Sequence, residues 1–210
     1  MNKLGDLSCN EFLTELASAA PAPGGGGGAA MAGALAAALA SMVANLTIGK
    51  EKFADREPEV KELLKQAEAE RVRLLTLVDE DAAVFNSFMS CYKLPKTTDE
   101  EKAARTAAIR AAAKQAATVP LNIARSSFAV LKLADRLVVS GNPGVITDGA
   151  CSGLLARAAL RCAEYNVRIN LGLTKDEAWN AQAAADLKQL LADAEALETR
   201  LLAVTDKALQ

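Results

Sequence analysis

Apolar residues recur along most of this chain at intervals of three and four, the period of helices that bury one face. Val60, Leu64, Ala67, Leu74, Val78, Phe85, Phe88 and Tyr92 form one such stripe, and Met31, Leu35, Leu39, Met42 and Leu46 form another. The punctuation between stripes is clean. Ser8-Cys9-Asn10-Glu11 has the form of a capping box and predicts a short first helix to about Ala20. Pro21-Ala22-Pro23 forces an extended turn, and five consecutive glycines, Gly24–Gly28, lead into a second helix from about Ala29. A third is expected from Pro58 to about Tyr92. Thr98-Asp99-Glu100-Glu101 opens a fourth, Pro120 begins or kinks a fifth, and Gly141-Asn142-Pro143 stops it. A sixth runs from about Thr147 to Leu171, with Thr147 or Asp148 as its cap, and Thr174-Lys175-Asp176-Glu177 opens the last. The expectation is an all-α fold: one domain over residues 1–210, a bundle of about seven helices.

Composition sharpens this. The 45 alanines outnumber the eight aromatics, so the core must be built of small residues that let helices approach closely. No histidine is present, which excludes a Ser-His-Asp triad, a Cys-His dyad and an HExxH zinc site. Cys9, Cys91, Cys151 and Cys162 form no CxxC pair, so a metal site is not expected, and a reducing cytoplasm is. A net charge of −2 gives no reason to expect a nucleic-acid partner, which usually demands a clustered basic face. Residues 29–48 are charge-free and long enough to span a bilayer, but they are mostly small and heavy on one face. That is the pattern of a helix buried among helices rather than a membrane segment. The first fifteen residues are acidic on balance, unlike a secretory signal.

Polar residues that interrupt the apolar stripes are the candidates for chemistry. Asp81 falls on the stripe of Leu74, Val78, Phe85 and Phe88, whereas Asp79 and Glu80 can face solvent. An inward carboxylate must be paired, hydrogen-bonded or protonated, and Arg71 on the same face is one available partner. The glycine run ahead of a helix exposes several N–H groups and can hold an anion, or it can simply be a hinge or a close crossing. Asn45 and Thr47 end the second helix, Asn142 and Asp148 flank the start of the sixth, and Asn166 and Asn170 share a face beneath Cys162. Each of these could equally serve as a cap or an interhelical hydrogen bond.

These residues, in this order, resemble the cyclodeaminase/cyclohydrolase family of folate one-carbon enzymes. The resemblance is carried by Pro21-Ala22-Pro23-Gly24-Gly25-Gly26, Met42-Val43-Ala44-Asn45-Leu46-Thr47, Asp79-Glu80-Asp81-Ala82 and Lys93-Leu94-Pro95. It continues through Pro120-Leu121, Gly141-Asn142-Pro143 with Asp148, and Asn166-Val167-Arg168-Ile169-Asn170. One position departs: Gly27 stands where the family's PGGGS loop usually has serine, so a hydroxyl is missing. The resemblance implies a homodimer with folate sites near the subunit contact. It also implies hydrolysis of methenyltetrahydrofolate or ring closure of formiminotetrahydrofolate with loss of ammonia. The folate is then the substrate and no prosthetic group is needed. On that reading Asp81 and Asp148 transfer protons or stabilise the cation, with Lys93 as an acid–base partner if desolvated. Asn45, Asn142, Asn166 and Asn170 bind the substrate, and Gly24, Gly25, Gly26, Gly27 and Arg168 receive its carboxylates. The alternative is a non-catalytic helical dimer that binds folate or another anion.

Overall fold

The computed structural model describes residues 3–210, which contain six α-helices and no strand. They are α1 (Cys9–Leu16), α2 (Gly25–Asn45), α3 (Glu57–Cys91), α4 (Asp99–Ser140), α5 (Ile146–Thr174) and α6 (Glu177–Ala208). Both expected boxes at the first two capping sites form: Ser8 and Glu11 close one, Thr98 and Glu101 the other. The third does not. Thr174 belongs to the end of α5, and the Asp176 carboxylate caps α6 by accepting from the Trp179 N–H. Asp148 is not a cap either. A tight turn over Pro143–Val145 feeds α5, which leaves Asp148 inside the first helical turn, where a carboxylate still favours the dipole.

Six helices are found instead of about seven because Pro120 neither begins nor breaks one. It lies buried inside the 42-residue α4. A proline at this position cannot donate to the carbonyl four residues back, that of Ala116. Asn170 on α5 supplies the missing donor, its Nδ2 lying 2.7 Å from the Ala116 oxygen. The orphaned carbonyl thus becomes an interhelical link, and the helix continues.

α2 lies at the centre, packed on α3, α4 and α5, and α6 covers α4 and α5. Ala30, Ala36, Ala37, Ala40 and Ala44 of α2 are fully buried, so small residues bring backbones together as the composition demands. The Ser152 hydroxyl on α5 donates to the Ala36 carbonyl at 2.7 Å, a bond that only closely packed helices can make. The larger core side chains, among them Leu74, Leu77, Ile123, Leu131, Leu160 and Leu201, fill the layer between. Buried Asp135 paired with Arg200 ties α4 to α6. α2 is long and apolar enough to cross a membrane by length and composition, but its small face is enclosed by its neighbours.

Two features break the enclosure. α2 and α5 each leave an apolar stripe uncovered: Leu35 and Met42 on one, Leu154, Tyr165 and Ile169 on the other, with Ile169 71% exposed. Further along, none of residues 79–112 is buried, so the end of α3 and the start of α4 project from the bundle as a two-helix arm.

The role given to Asn170 makes a quantitative prediction. Replacing Asn170 with Ala should cost about 1 kcal/mol, because a part-buried carbonyl loses its donor. In a Pro120→Ala background the restored N–H serves Ala116, and the same change should cost markedly less. A double-mutant cycle by chemical denaturation measures this coupling.

Candidate functional site

Asp81 sits nearly three turns before the end of α3, half-buried against the first turn of α2. The contact is made possible by glycine. A Cβ added at Gly26 would lie 2.6 Å from the Asp81 Cγ, closer than any side chain could stay. With hydrogen at that position the carboxylate settles beside the N-terminus of α2, where the nearby Gly27 N–H favours its ionised form. Helix N-termini carry unsatisfied donors and positive potential, so this is a favourable seat for an anion. Burial nevertheless outweighs that donor, and the carboxyl is pushed above the usual aspartate range. Arg71 does not take part. It is bound by Glu68 in a two-nitrogen contact about three turns away along α3. Asp79, expected to face solvent, instead accepts from the backbone N–H groups of Leu4 (2.6 Å) and Gly5 (3.4 Å) and ties down the N-terminal segment.

Asp81 opens into a cavity of about 340 Å³, the size of a small-molecule site. Gly24, Gly25 and Gly26 form one wall, Phe85 and Phe88 a second, and Asn166 and Asn170 a third. The asparagines are four apart on α5 and stacked by hydrogen bonds: Asn170 Nδ2 donates to the Asn166 carbonyl at 2.9 Å, and Asn166 Nδ2 to the Cys162 carbonyl at 2.9 Å. Asn170 commits both amide protons, one to Asn166 and one to Ala116. Its carbonyl oxygen is therefore what it can offer a ligand, and Asn166 keeps one N–H beside its own oxygen. With Asp81, the site is rich in acceptors. None of its lining residues is basic. Phe85 and Phe88 supply flat apolar walls; their place on the apolar stripe concealed this, although they lie one and two turns beyond Asp81. Among the described residues no group of three acidic, cysteine or histidine side chains is placed to hold a metal.

The chain matches the family model described as formiminotransferase-cyclodeaminase over residues 8–189. It belongs to that family. Among its relatives is the methenyltetrahydrofolate cyclohydrolase of Methylorubrum extorquens, 44% identical over 197 residues that cover 94% of this chain and 95% of the relative. The formimidoyltransferase-cyclodeaminase of Sus scrofa is 34% identical over 87% of this chain, which spans only 34% of that longer protein. The solved formiminotetrahydrofolate cyclodeaminase of Thermotoga maritima superposes with a TM-score of 0.88 at 29% identity, covering 98% of both chains.

Several residues expected at the site of this cyclodeaminase-family chain lie elsewhere in the single copy. Asn45 ends α2, about 30 Å from the glycines that begin it. Asp148 is at the same far end, in the first turn of α5. Asn142 is a structural staple there: its N–H donates to Thr47 Oγ1 at 2.8 Å, its Nδ2 to the Leu46 carbonyl at 3.1 Å, and its Oδ1 accepts from Gly144. Lys93 follows the end of α3 at the tip of the arm and is exposed, so the desolvation on which its acid–base role depends is not found. Arg168 is two residues from each asparagine and so emerges from the other side of α5. There it meets Glu164 and lies over the Tyr165 ring. Gly27, expected to receive a substrate carboxylate at its first-turn N–H, instead lies beside Asp81.

The raised proton affinity of Asp81 fixes a sign. The folded chain holds this proton more tightly than the unfolded one, so the associated stability is full below the ordinary carboxylate value. It is lost as pH rises through the raised folded value. Asp81→Asn should therefore flatten that part of the stability–pH curve and melt no lower than the wild type at neutral pH. Thermal melts of both proteins across pH 3–8 check this.

Proposed function

We propose that this chain is a folate one-carbon enzyme acting on the bridge carbon of methenyltetrahydrofolate. The observation that carries the proposal is the acceptor-rich cavity with a seated carboxylate and no basic side chain. Such a site suits a ligand that is cationic and donor-rich, and the methenyl compound is a cation whose pterin ring presents N–H donors. Asn166 and Asn170 accept from that edge, and Phe85 and Phe88 flank the flat ring system. Water adds to the bridge carbon and gives up a proton, and the tetrahedral carbon then releases one nitrogen, which is protonated, to leave the formyl product. Ionised Asp81 stabilises the cation and accepts the proton of the attacking water. Ring closure of formiminotetrahydrofolate passes through a similar carbon and expels ammonia, so the same residues serve it. Full-length similarity to the Methylorubrum extorquens protein favours the hydrolytic reaction.

The active form is a homodimer built on the uncovered α2–α5 face. That face is apolar, and α2 contributes no charge to it. A two-fold axis near Leu35 and Leu154 sets each end of the face against the opposite end of the partner's. Asn45 of the partner subunit and the partner's Asp148 then come to the mouth of the cavity that contains Asp81. This reunites the candidates that one copy keeps about 30 Å apart. Four free cysteines accord with a reducing cytoplasm.

Two measurements test this reading. Parallel assays should show loss of the methenyl chromophore by the wild type and ammonia release from the formimino compound. Asp81→Asn should lower turnover by about 10²–10⁴-fold with the fold intact; wild-type turnover would sink the assignment. Mixing and reannealing the inactive Asp81→Asn and Asp148→Asn proteins should restore about a quarter of wild-type activity, since half the dimers are mixed and each has one intact shared site. No restoration, with mixed dimers present by mass spectrometry, would overturn the shared site.

A further inference from the structure

The contact between Asp81 and the start of α2 depends on two positions that carry no side chain. At Gly26 a Cβ would collide with the carboxylate itself. At Gly27 the space is different. A Cβ there would lie 3.9 Å from Asp81 Oδ2 and 3.9 Å from Val78 Cγ1, in ordinary contact, and 3.3 Å from Pro23 Cβ, tight enough to need a small shift of the loop. Position 27 could therefore carry a small side chain, and a hydroxyl one bond beyond that Cβ would come within hydrogen-bonding range of Oδ2.

We propose that Gly26 and Gly27 are positioning residues for Asp81: bare backbone at 26 admits the carboxylate to the end of α2, and bare backbone at 27 leaves it there without a side-chain donor. The inference rests on the reading of Asp81 as the proton-transfer group and specifies what tunes it.

The surroundings leave few other means of tuning. α2 has no charged residue, and none lies in the Pro21–Gly24 segment. From α4 the cavity receives Ala116 and Val119; nearby Lys114 is turned to Asp176 and the Trp179 ring. From α5 it receives the neutral asparagines, while Arg168 is engaged by Glu164 on the other side. On α3 itself, Asp79 is held by the N-terminal backbone and Glu80 is exposed. Within one subunit, hydrogen-bond donors at the end of α2 are thus the main control on this carboxyl besides its burial; the partner's Asp148 at the cavity mouth would act in the opposite sense. A hydroxyl donor at 27 would favour the ionised form and lower the pH at which the proton leaves.

The experiment is a carboxyl-carbon NMR titration of Asp81 in the wild type, Gly27→Ser and Gly27→Ala, with pH–kcat profiles alongside. Serine and alanine press equally on Pro23, but only serine brings a donor. Gly27→Ser should lower the Asp81 midpoint by about one pH unit and move the limb of the kcat profile that belongs to Asp81 equally far in the same direction. Gly27→Ala should stay with the wild type. Identical midpoints in the two variants would overturn the inference. Should neither variant fold, Gly26→Ala decides. Its Cβ evicts the carboxylate, so Asp81 should titrate in the ordinary aspartate range with kcat lost and the helix content retained. A wild-type midpoint in that variant would equally overturn it. If the midpoints move as expected but Asp81→Asn keeps full turnover, the proton-transfer reading fails and the positioning stands. Unmoved midpoints with an inactive Asp81→Asn remove the positioning alone.

Discussion

A carboxylate resting on a helix end that has no side chains is the contact from which the rest of the site follows. Asp81 can reach the N-terminus of α2 only because Gly26 is bare, and the positive end of the helix favours the carboxylate that burial there disfavours. The same seating brings α2 and α3 together at the cavity, so the turn of α3 that follows Asp81 delivers Phe85 and Phe88 to its wall. Opposite them, Asn170 performs two tasks with one side chain. It satisfies the carbonyl that Pro120 orphans and thereby fixes α5 against α4, and it turns its remaining oxygen to the site. Structure and chemistry share these groups, so altering either Asp81 or Asn170 affects both.

Much of this was legible in the sequence, for identifiable reasons. The 3.6-residue period and two capping boxes locate helices because those are local rules, obeyed within a few residues of chain. Asp81 stood out because a carboxylate on an apolar stripe has no cheap explanation. The asparagine pair was visible from its four-residue spacing. What escaped was whatever depends on a partner remote in sequence. Pro120 looks like a boundary until Asn170, 50 positions later, is seen to donate to Ala116. Thr174 looks like a cap until Asp176 does that work. Asp79 looks solvent-facing until Leu4 and Gly5 bend back to it. Phe85 and Phe88 are indistinguishable from core residues by period alone, because a cavity wall and a core present the same apolar stripe.

The scatter of the other candidates has a geometric origin. A motif in the chain marks a place along a helix, and these helices are long. Asn45 and the glycine run belong to one helix and Asp148 and Asn166 to another, and in both cases the two members sit at opposite ends. Proximity in sequence order said nothing about proximity in space, and Arg168 shows the complementary case, two residues from each asparagine yet on the other side of α5.

The arm formed by the end of α3 and the start of α4 carries a last implication. Without a single buried residue from 79 to 112, its hydrogen bonds are guarded by little more than one helix leaning on the other. A stretch with so little burial is expected to exchange its amides by local opening, below the cost of unfolding the bundle. Phe85 and Phe88 stand where that loosely held stretch joins the rigid core. The cavity therefore has a floor of glycine and asparagine set in the packed core and a wall, with Asp81 at its base, that stands on the least buried stretch of the chain.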